Sequence, residues 1–317
     1  PEPDSTPSPE ALEGLEALEA GRAYRRRDPG DRLVVRGTEA ADLFHRICAS
    51  EIRGLTAHEV RPLLFTDDKG RVVDLPQVVR HEEHLELFCG RGRGRELRAW
   101  IERWIIIEDV TIEEGSPSWD LFGQEAIDFA ARDRSVPEAG EISVDAETLV
   151  LRPKAPAGAP STLALGVGAD LEPVEERLAA SLTPVPDATV DAWCARHGLV
   201  LPGPALQARA NPLELGWRDL VSWTKGCYIG QEVVARLDTY EKVRRHAVEV
   251  RGEGQPPAPG TELRSQERKA GEILLSARLP EGIVALALVD KALGEGAPLT
   301  WNEGAGTVST IPARAEG

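Results

Sequence analysis

Closely spaced cysteines are missing from this 317-residue chain, which contains no Cys-x-x-Cys pair. Structural zinc sites and iron–sulfur clusters usually use at least one such pair, so we expect no metal or cluster to be held by the chain. A chain of this size without a dense cysteine framework is typical of a cytoplasmic protein with free thiols. The four cysteines are widely separated: Cys48, Cys89, Cys194 and Cys227.

Long hydrophobic runs are also missing. The longest clean apolar run covers residues 283–289, whereas a membrane-spanning helix needs about 20 apolar residues. Residues 1–14 are rich in proline and glutamate and have neither a basic start nor an apolar centre, so they do not resemble a signal peptide. We therefore expect no membrane association and a cytoplasmic location.

Basic residues are scarce relative to acidic ones. The chain has 37 Lys and Arg against 53 Asp and Glu, which gives a formal net charge of −16. A field of this sign repels phosphates, so broad direct binding to nucleic acid is not expected. Hydrophobic residues make up 41% of the chain, which excludes a disordered protein and predicts two or three domains with substantial cores.

Hydrophobic patterning predicts a mixed fold. Residues 32–36 form a strand, and residues 61–80 form a hairpin around a turn at 67–70. After residue 243 the chain consists of short β-like runs separated by turns, which predicts a small β-barrel. The predicted division is a leader at 1–21, an α+β region at 22–243 and a barrel domain at 244–317.

Two short motifs each have two interpretations. The Gly-Arg-Gly-Arg-Gly run at 90–94 precedes a helix, so it is either an anion-binding loop or a flexible turn with solvated arginines. His81 and His84 have a spacing found in metal sites, but alternating residues follow them, so we interpret them as an exposed turn before a strand.

The segment at 225–232, Lys-Gly-Cys-Tyr-Ile-Gly-Gln-Glu, carries the clearest chemical signal. Gly230 is a predicted N-cap for a helix that begins at Gln231. Cys227 then lies just ahead of a helix N-terminus and two residues after Lys225, and both features favour a thiolate. The prediction is a reactive, partly exposed thiol, and the alternative is a small buried hydrophobic residue.

This segment, with the arginine behind it, resembles the signature of YgfZ-type folate-binding proteins, which are relatives of the glycine-cleavage T-protein, an aminomethyltransferase. The resemblance extends to Asn-Pro-Leu-Glu-Leu-Gly at 211–216, to the hairpin at 70–74, to the strand at 33–37 and to the C-terminal run. The residues that match the signature are Lys225, Gly226, Cys227, Tyr228, Gly230, Gln231, Glu232 and Arg236.

The resemblance implies a T-protein-like α+β fold with a ferredoxin-like unit and a small C-terminal β-barrel. It implies that residues 22–243 form the folate-binding region, as two intertwined α+β subdomains. It implies tetrahydrofolate or a derivative as the bound ligand, and support for the assembly or repair of iron–sulfur enzymes, including some that modify tRNA. The implied partners are iron–sulfur client or assembly proteins. The implied protein is a monomer that holds no metal itself.

The resemblance also implies roles for individual residues. Cys227 is the functional thiol, and Asp74, Glu214 and Trp223 contact the folate. Two departures from the pattern affect this site: Asp74 is the only acid after the hairpin turn, where T-proteins have two, and Arg196 stands where many relatives have a glutamate. Each of these three residues also has a purely structural interpretation: Asp74 as an acid at a strand bend, Glu214 as an acid at a helix start and Trp223 as a core residue.

Two other functions stay open at this stage. One is a true aminomethyltransferase or another one-carbon transferase, against which the missing second acid and the signature both argue. The other is a thiol redox or interaction module in which Cys227 reacts and the folate site is vestigial.

Overall fold

The computed structural model of the chain describes residues 8–57, 59–131, 139, 141–145, 148–152, 162–167, 172–203, 210–302 and 304–309. Helices and strands alternate in the first two thirds and strands dominate the last third, which confirms the predicted α+β class. The α-helices of the described residues are α1 (Pro9–Glu19), α2 (Ala40–Ile47), α3 (Gly94–Glu102), α4 (Gln124–Ala131), α5 (Glu172–Ser181), α6 (Asp187–Arg196) and α7 (Gln231–Thr239).

The strands fall into two groups along the chain. Those before α7 are β1 (Ala23–Arg26), β2 (Arg32–Arg36), β3 (Val60–Pro62), β4 (Phe65–Thr66), β5 (Val72–Asp74), β6 (Gln77–Arg80), β7 (His84–Phe88), β8 (Thr111–Glu114), β9 (Ser118–Phe122), β10 (Glu141–Asp145), β11 (Thr148–Arg152), β12 (Thr162–Val167) and β13 (Thr183–Pro184). Those after α7 are β14 (Arg245–Gly254), β15 (Glu262–Ser265), β16 (Arg268–Leu279), β17 (Gly282–Asp290), β18 (Pro298–Trp301) and β19 (Gly304–Ser309).

A five-stranded sheet in the order β3-β6-β7-β2-β8 forms the first unit. The chain runs β2-α2-β6-β7-α3-β8 through it, and the strands lie in the order β6-β7-β2-β8, so this is the predicted ferredoxin-like unit. Leu33 and Val35 of β2 and Phe44 of α2 are fully buried in its core. The predicted hairpin is interrupted: β4 and β5 pair with each other in a separate ribbon that carries the turn at 67–70.

The second sheet has the order β10-β11-β12-β9-β1-β13. Its strand β1 comes from before the first unit, pairs antiparallel with β9 and parallel with β13, and so ties the two units together. Strand β1 therefore precedes the first unit in the chain and belongs to the sheet of the second.

The last six strands form a closed barrel in the order β14-β17-β16-β15-β18-β19, which confirms the predicted C-terminal barrel. Its strand β17 contains the longest apolar run of the sequence, and the reason is that both faces are covered. Ile283, Ala285 and Val289 point into the barrel core, whereas Leu286 and Leu288 belong to the core that also contains α6.

The N-terminal segment differs from the expected leader in its described part. Residues 1–7 lie outside the described residues, but α1 begins at Pro9 with Ser8 as its N-cap. Leu15 and Leu18 of α1 are buried in the same core as Trp193 of α6, so this helix is part of the packed body. Residues 310–317 of the predicted barrel domain also lie outside the described residues.

None of the helices that the structure describes combines the length and apolar character that crossing a bilayer requires.

Candidate functional site

The signature segment packs against the turn of the β4–β5 ribbon. The Thr66 hydroxyl donates a hydrogen bond of 2.6 Å to the carbonyl of Ile229, and Gly70 contacts Val233 and Val234 at the start of α7. Gly230 is the N-cap of α7, as predicted, and has a positive φ of 83°. A Cβ at this position would overlap the carbonyl oxygen of Asp67, so both the backbone conformation and the close approach require glycine.

Lys225 has a different partner from the one that the sequence suggests. Its ammonium group donates to the carbonyl oxygens of Cys48 at 2.7 Å and Ser50 at 2.8 Å, and lies 3.9 Å from the sulfur of Cys48. Burial lowers the pKa of Lys225, and its interactions with Cys48 and Glu51 oppose that shift. The lysine therefore anchors the signature to residues 48–50, rather than directing its charge at Cys227 alone.

Cys227 is exposed, whereas the other three cysteines are buried. Burial raises the pKa of Cys48 to about 11 and that of Cys194 to about 12. It also raises the pKa of Cys89 well above its usual value, with Asp74 and Asp31 adding to the shift. These three thiols are thus held in the neutral form, which is a poor nucleophile. Cys227 is the cysteine whose exposure permits chemistry with a partner from solution.

Asp74 ends β5 as a buried carboxylate that is 2% exposed. Its two oxygens accept hydrogen bonds of 3.2 and 3.0 Å from the backbone N–H of Gly90. Burial raises the pKa of Asp74 to about 6, although the Gly90 N–H and the guanidinium of Arg93 act in the opposite direction. A Cβ at Gly90 would collide with this carboxylate and with Pro202, so residues 90 and 202 cover Asp74 closely.

The glycine-rich loop at 90–94 binds carboxylates of the protein itself rather than an external anion. Gly92 and Gly94 donate their N–H groups to Asp31 at 2.7 and 3.0 Å, and Gly90 donates to Asp74. The loop therefore holds two internal carboxylates on three backbone donors, which is the role that such loops perform for external anions elsewhere. Neither of the two sequence interpretations anticipated this arrangement.

Glu214 is 6% exposed and is held by a chelating arginine. Arg245 donates to its two oxygens at 2.7 and 3.1 Å, and the N–H of Asn211 donates to it at 3.0 Å. The same guanidinium donates to Glu272 of β16 at 2.8 Å. This network joins the segment at 211–216 to the barrel and fixes Arg245 at the boundary between them.

A cavity of about 660 Å³ opens at this boundary, between the end of α7 and the barrel. Glu214 and the signature residue Arg236 both line it, so two of the predicted site residues meet there. Its other charged residues are Lys242, Arg244, Arg245, Lys269, Glu272 and Asp290. The basic residues of this set were not identified from the sequence. The cluster at 242–245 is nevertheless conspicuous in a chain with a net charge of −16.

A second cavity of about 400 Å³ lies beside Asp31 and Gly92. Arginines of β1 and acidic residues of α6 are among the residues that line it, and some of the lining charges are already paired: Arg91 donates to Asp191 at 2.6 and 2.7 Å. None of the predicted folate or signature residues is among those that line it.

The remaining predicted residues are spread over the surface and the core. Trp223 is 39% exposed, with the guanidinium of Arg218 4.8 Å from its ring centre, and it lines neither cavity. Arg196 donates to Glu281 at 2.7 and 2.9 Å and joins α6 to the β16–β17 hairpin. Tyr228 is buried, which raises its pKa to about 12. Gln231 and Glu232 form the first turn of α7.

The structure thus separates the predicted site residues: Glu214 and Arg236 line the cavity, Asp74 lies beneath residues 90 and 202, and Cys227 and Trp223 are exposed on the surface. A backbone hydrogen bond links the segment that carries Asp74 to the residues beside the cavity. The N–H of Val72, two residues before Asp74, donates to Ala210 at 2.8 Å, next to the cavity residue Asn211.

No protein-family model matches this chain, and no curated protein matches it at the sequence level. Among solved structures, the glycine cleavage system aminomethyltransferase T from Bartonella henselae superposes with a TM-score of 0.77 over 94% of this chain and 88% of that chain. The chain has the fold of an aminomethyltransferase T. The two sequences are 18% identical, so this likeness establishes the T-protein-like fold, and the closer resemblance to YgfZ-type proteins stays a prediction.

Proposed function

We propose that this protein binds a tetrahydrofolate-type molecule in the 660 Å³ cavity between α7 and the barrel. The observation that carries the proposal is the meeting of Glu214 and Arg236 at one cavity in a chain with a T-protein-like fold. Cavities of about 300–1,000 Å³ are typical of sites that enclose small molecules. The proposal moves the ligand away from Asp74, which lines neither of the two cavities.

The charges around the cavity fit the chemistry of a folate. A folate has a pterin edge with adjacent N–H donors at one end and glutamate carboxylates at the other. Glu272 and Asp290 offer carboxylate acceptors for the pterin edge, and Arg236, Lys242 and Arg244 offer cations for the glutamate. Glu214, whose oxygens are held by Arg245, acts by fixing that arginine in the cavity wall.

The cellular role that we propose is support of iron–sulfur enzymes, including enzymes that modify tRNA, through a complex with a client or assembly protein. Two features support this proposal: the resemblance of residues 225–232 to the YgfZ signature and the exposure of Cys227 at that segment. Gly226, next to this thiol, has open space around it, so a partner can approach the sulfur closely.

Calorimetric titration of the full chain with 5-formyltetrahydrofolate tests the ligand. We expect saturable binding, and we expect Arg236→Ala and Lys242→Ala each to weaken it about tenfold, because a hydrogen bond to a charged group contributes about 1.5–3 kcal/mol. Arg103→Ala is the matched control, since this exposed arginine follows α3 and lines neither cavity. Absence of binding at millimolar folate would refute the ligand proposal.

The same titration separates the cavity from Asp74. Asp74→Asn keeps an oxygen that can accept from the N–H of Gly90 and removes the charge. If the folate occupies the cavity, this variant binds as the wild type does. A tenfold loss in Asp74→Asn, with Arg236→Ala unaffected, would instead place the pterin at Asp74.

An enzymatic function is the second candidate, because a solved structure with this fold is an aminomethyltransferase. An assay for 5,10-methylenetetrahydrofolate formation from an aminomethyl donor distinguishes the two functions. We expect no turnover from this chain under conditions in which it binds the folate.

For the cellular role, cells without the protein are expected to lose iron–sulfur enzyme activity and to regain it with the wild type but not with Cys227→Ser.

A further inference from the structure

We propose that His81, His84 and Glu86 form a binding site for one divalent transition-metal ion, with zinc the best match to these ligands. The site lies on the β6–β7 hairpin, on the ferredoxin-like unit and apart from both cavities. It is independent of the folate proposal. It also revises the sequence-based interpretation of the two histidines as a simple exposed turn.

The hairpin itself brings the three side chains together. β6 ends at Arg80 and β7 begins at His84, and the N–H of His81 donates to the carbonyl of His84 at 2.9 Å. This tight connection places the two imidazoles side by side. His84 and Glu86 are two residues apart on β7, and side chains with that spacing project from the same face of a strand. The glutamate is therefore carried to the imidazole pair.

The distances are close to those of a coordination sphere. The Nε2 atom of His81 lies 3.3 Å from Oε2 of Glu86, and the two imidazole rings are stacked with their centres 4.2 Å apart. One ligand atom from each residue lies within 4.8 Å of the other two. Ligands at about 2.1 Å from a tetrahedral zinc ion are about 3.4 Å apart, so small rotations of the partly exposed imidazoles complete the site.

The carboxylate has the supporting contact that metal ligands usually have. Arg32 donates to Oε1 of Glu86 through two nitrogens, at 2.7 and 3.1 Å, and both residues are buried. The opposite oxygen, Oε2, is left facing His81. An outer contact of this kind fixes the orientation of a ligand before the metal arrives.

Two arginines near the site limit its affinity. Arg36 of β2 lies opposite His84 in the strand pairing, and Arg32 is hydrogen-bonded to Glu86. Both guanidinium groups repel a cation, so we expect moderate rather than tight binding.

Three protein ligands leave one position of a tetrahedral zinc ion open to water or to a group from another molecule. Such an open position distinguishes catalytic and exchangeable zinc sites from closed structural sites with four protein ligands. The proposed site therefore belongs to the open class.

Calorimetric titration with zinc chloride tests the proposal on the full chain carrying Cys227→Ser, which removes the exposed thiol as a competing ligand. We expect one ion per chain, and at least tenfold weaker binding in His84→Ala and in His81→Ala. His197→Ala is the matched control, because this histidine also contacts a glutamate, Glu19, at 2.9 Å but is not part of a three-ligand group. Its zinc affinity is expected to equal that of the parent.

A spectroscopic readout makes the result independent of heat signals. Cobalt(II) bound at a tetrahedral site gives intense visible absorption, which we expect in the parent protein and not in His84→Ala. Thermal unfolding of each variant without metal confirms that it is folded. Absence of zinc binding in the folded parent, or binding that both histidine variants leave unchanged, would overturn the proposal.

Discussion

The ammonium group of Lys225 lies 2.7 Å from the carbonyl oxygen of Cys48, although the two residues are 177 positions apart in the chain. This hydrogen bond, with its partner at the carbonyl of Ser50, holds the signature segment against the end of α2. Neighbouring contacts reinforce the attachment: the N–H of Ser222 donates to Ala49 at 2.8 Å. Cys227 is thus exposed on a segment that Lys225 anchors to the protein interior.

Replacement of Lys225 by methionine is expected to destabilise the protein by about 2–4 kcal/mol. Methionine fills similar space but leaves the buried carbonyls of Cys48 and Ser50 without this donor, and an unsatisfied buried acceptor costs about 1–3 kcal/mol. Urea unfolding monitored by circular dichroism measures the change. Lys242→Met, at an exposed lysine, is the control and is expected to change stability by less than about 0.5 kcal/mol. Equal stability of the two variants would contradict the anchoring role.

Two glycines of the signature are expected to differ sharply on substitution by alanine. Gly230 has a positive φ and lies against the backbone of Asp67, so Gly230→Ala is expected to lose at least about 2 kcal/mol of stability. A Cβ added at Gly226 would meet no atom within 4 Å, so Gly226→Ala is expected to fold as the wild type does. Thermal unfolding of both variants checks the contrast, and a comparable loss in Gly226→Ala would show that the segment packs differently.

Much of this architecture is encoded in local patterns. The strand at 32–36, the helix that begins at Gln231 and the strands of the barrel all follow from periodicity and turn residues, because their apolar faces repeat at the period of the element. The apolar run at 283–289 becomes strand β17, but the covering of its two faces by the barrel interior and by α6 depends on tertiary packing.

The candidate site was less accessible to sequence reasoning, because its contacts join distant segments. Nothing local to Lys225 indicates that its ammonium group reaches residues 48–50 rather than staying near the thiol two positions away. The Gly90 N–H that holds Asp74 is likewise contributed from beyond the next two strands, β6 and β7. The sequence motifs identify Lys225 and the loop at 90–94 as notable, but only the fold determines which residues they contact.

Thiol labelling is expected to detect one cysteine in the native protein and four after denaturation. Cys227 is exposed, whereas Cys48, Cys89 and Cys194 are buried with raised pKa values and react only when the chain opens. Titration with a chromogenic disulfide reagent gives the counts. Cys227→Ser is expected to abolish the rapid native reaction, and Cys48→Ser is expected to leave it unchanged. Two rapidly reacting thiols in the native protein would show that a second cysteine is accessible.

Asp74 is expected to make the protein less stable as the pH rises from about 4 to about 7. Burial raises the pKa of its carboxyl from 3.8 to about 6 in the folded state, so between these values the folded chain holds a proton that the unfolded chain has released. The stabilisation is complete below the unfolded pKa and is lost as the pH passes through the folded pKa. A shift of this size corresponds to roughly 3 kcal/mol.

Asp74→Asn isolates this contribution from the other carboxyl groups of an acidic chain, because asparagine does not titrate and retains an acceptor for the N–H of Gly90. Urea unfolding of wild type and variant at several pH values measures the difference in their free energies of unfolding. We expect the wild type to lose stability relative to Asp74→Asn by roughly 2.4 kcal/mol between pH 4 and pH 7, because part of the full shift falls below pH 4. Parallel stability curves would show that the carboxyl group titrates normally, and hence that residues 90 and 202 do not exclude water from Asp74.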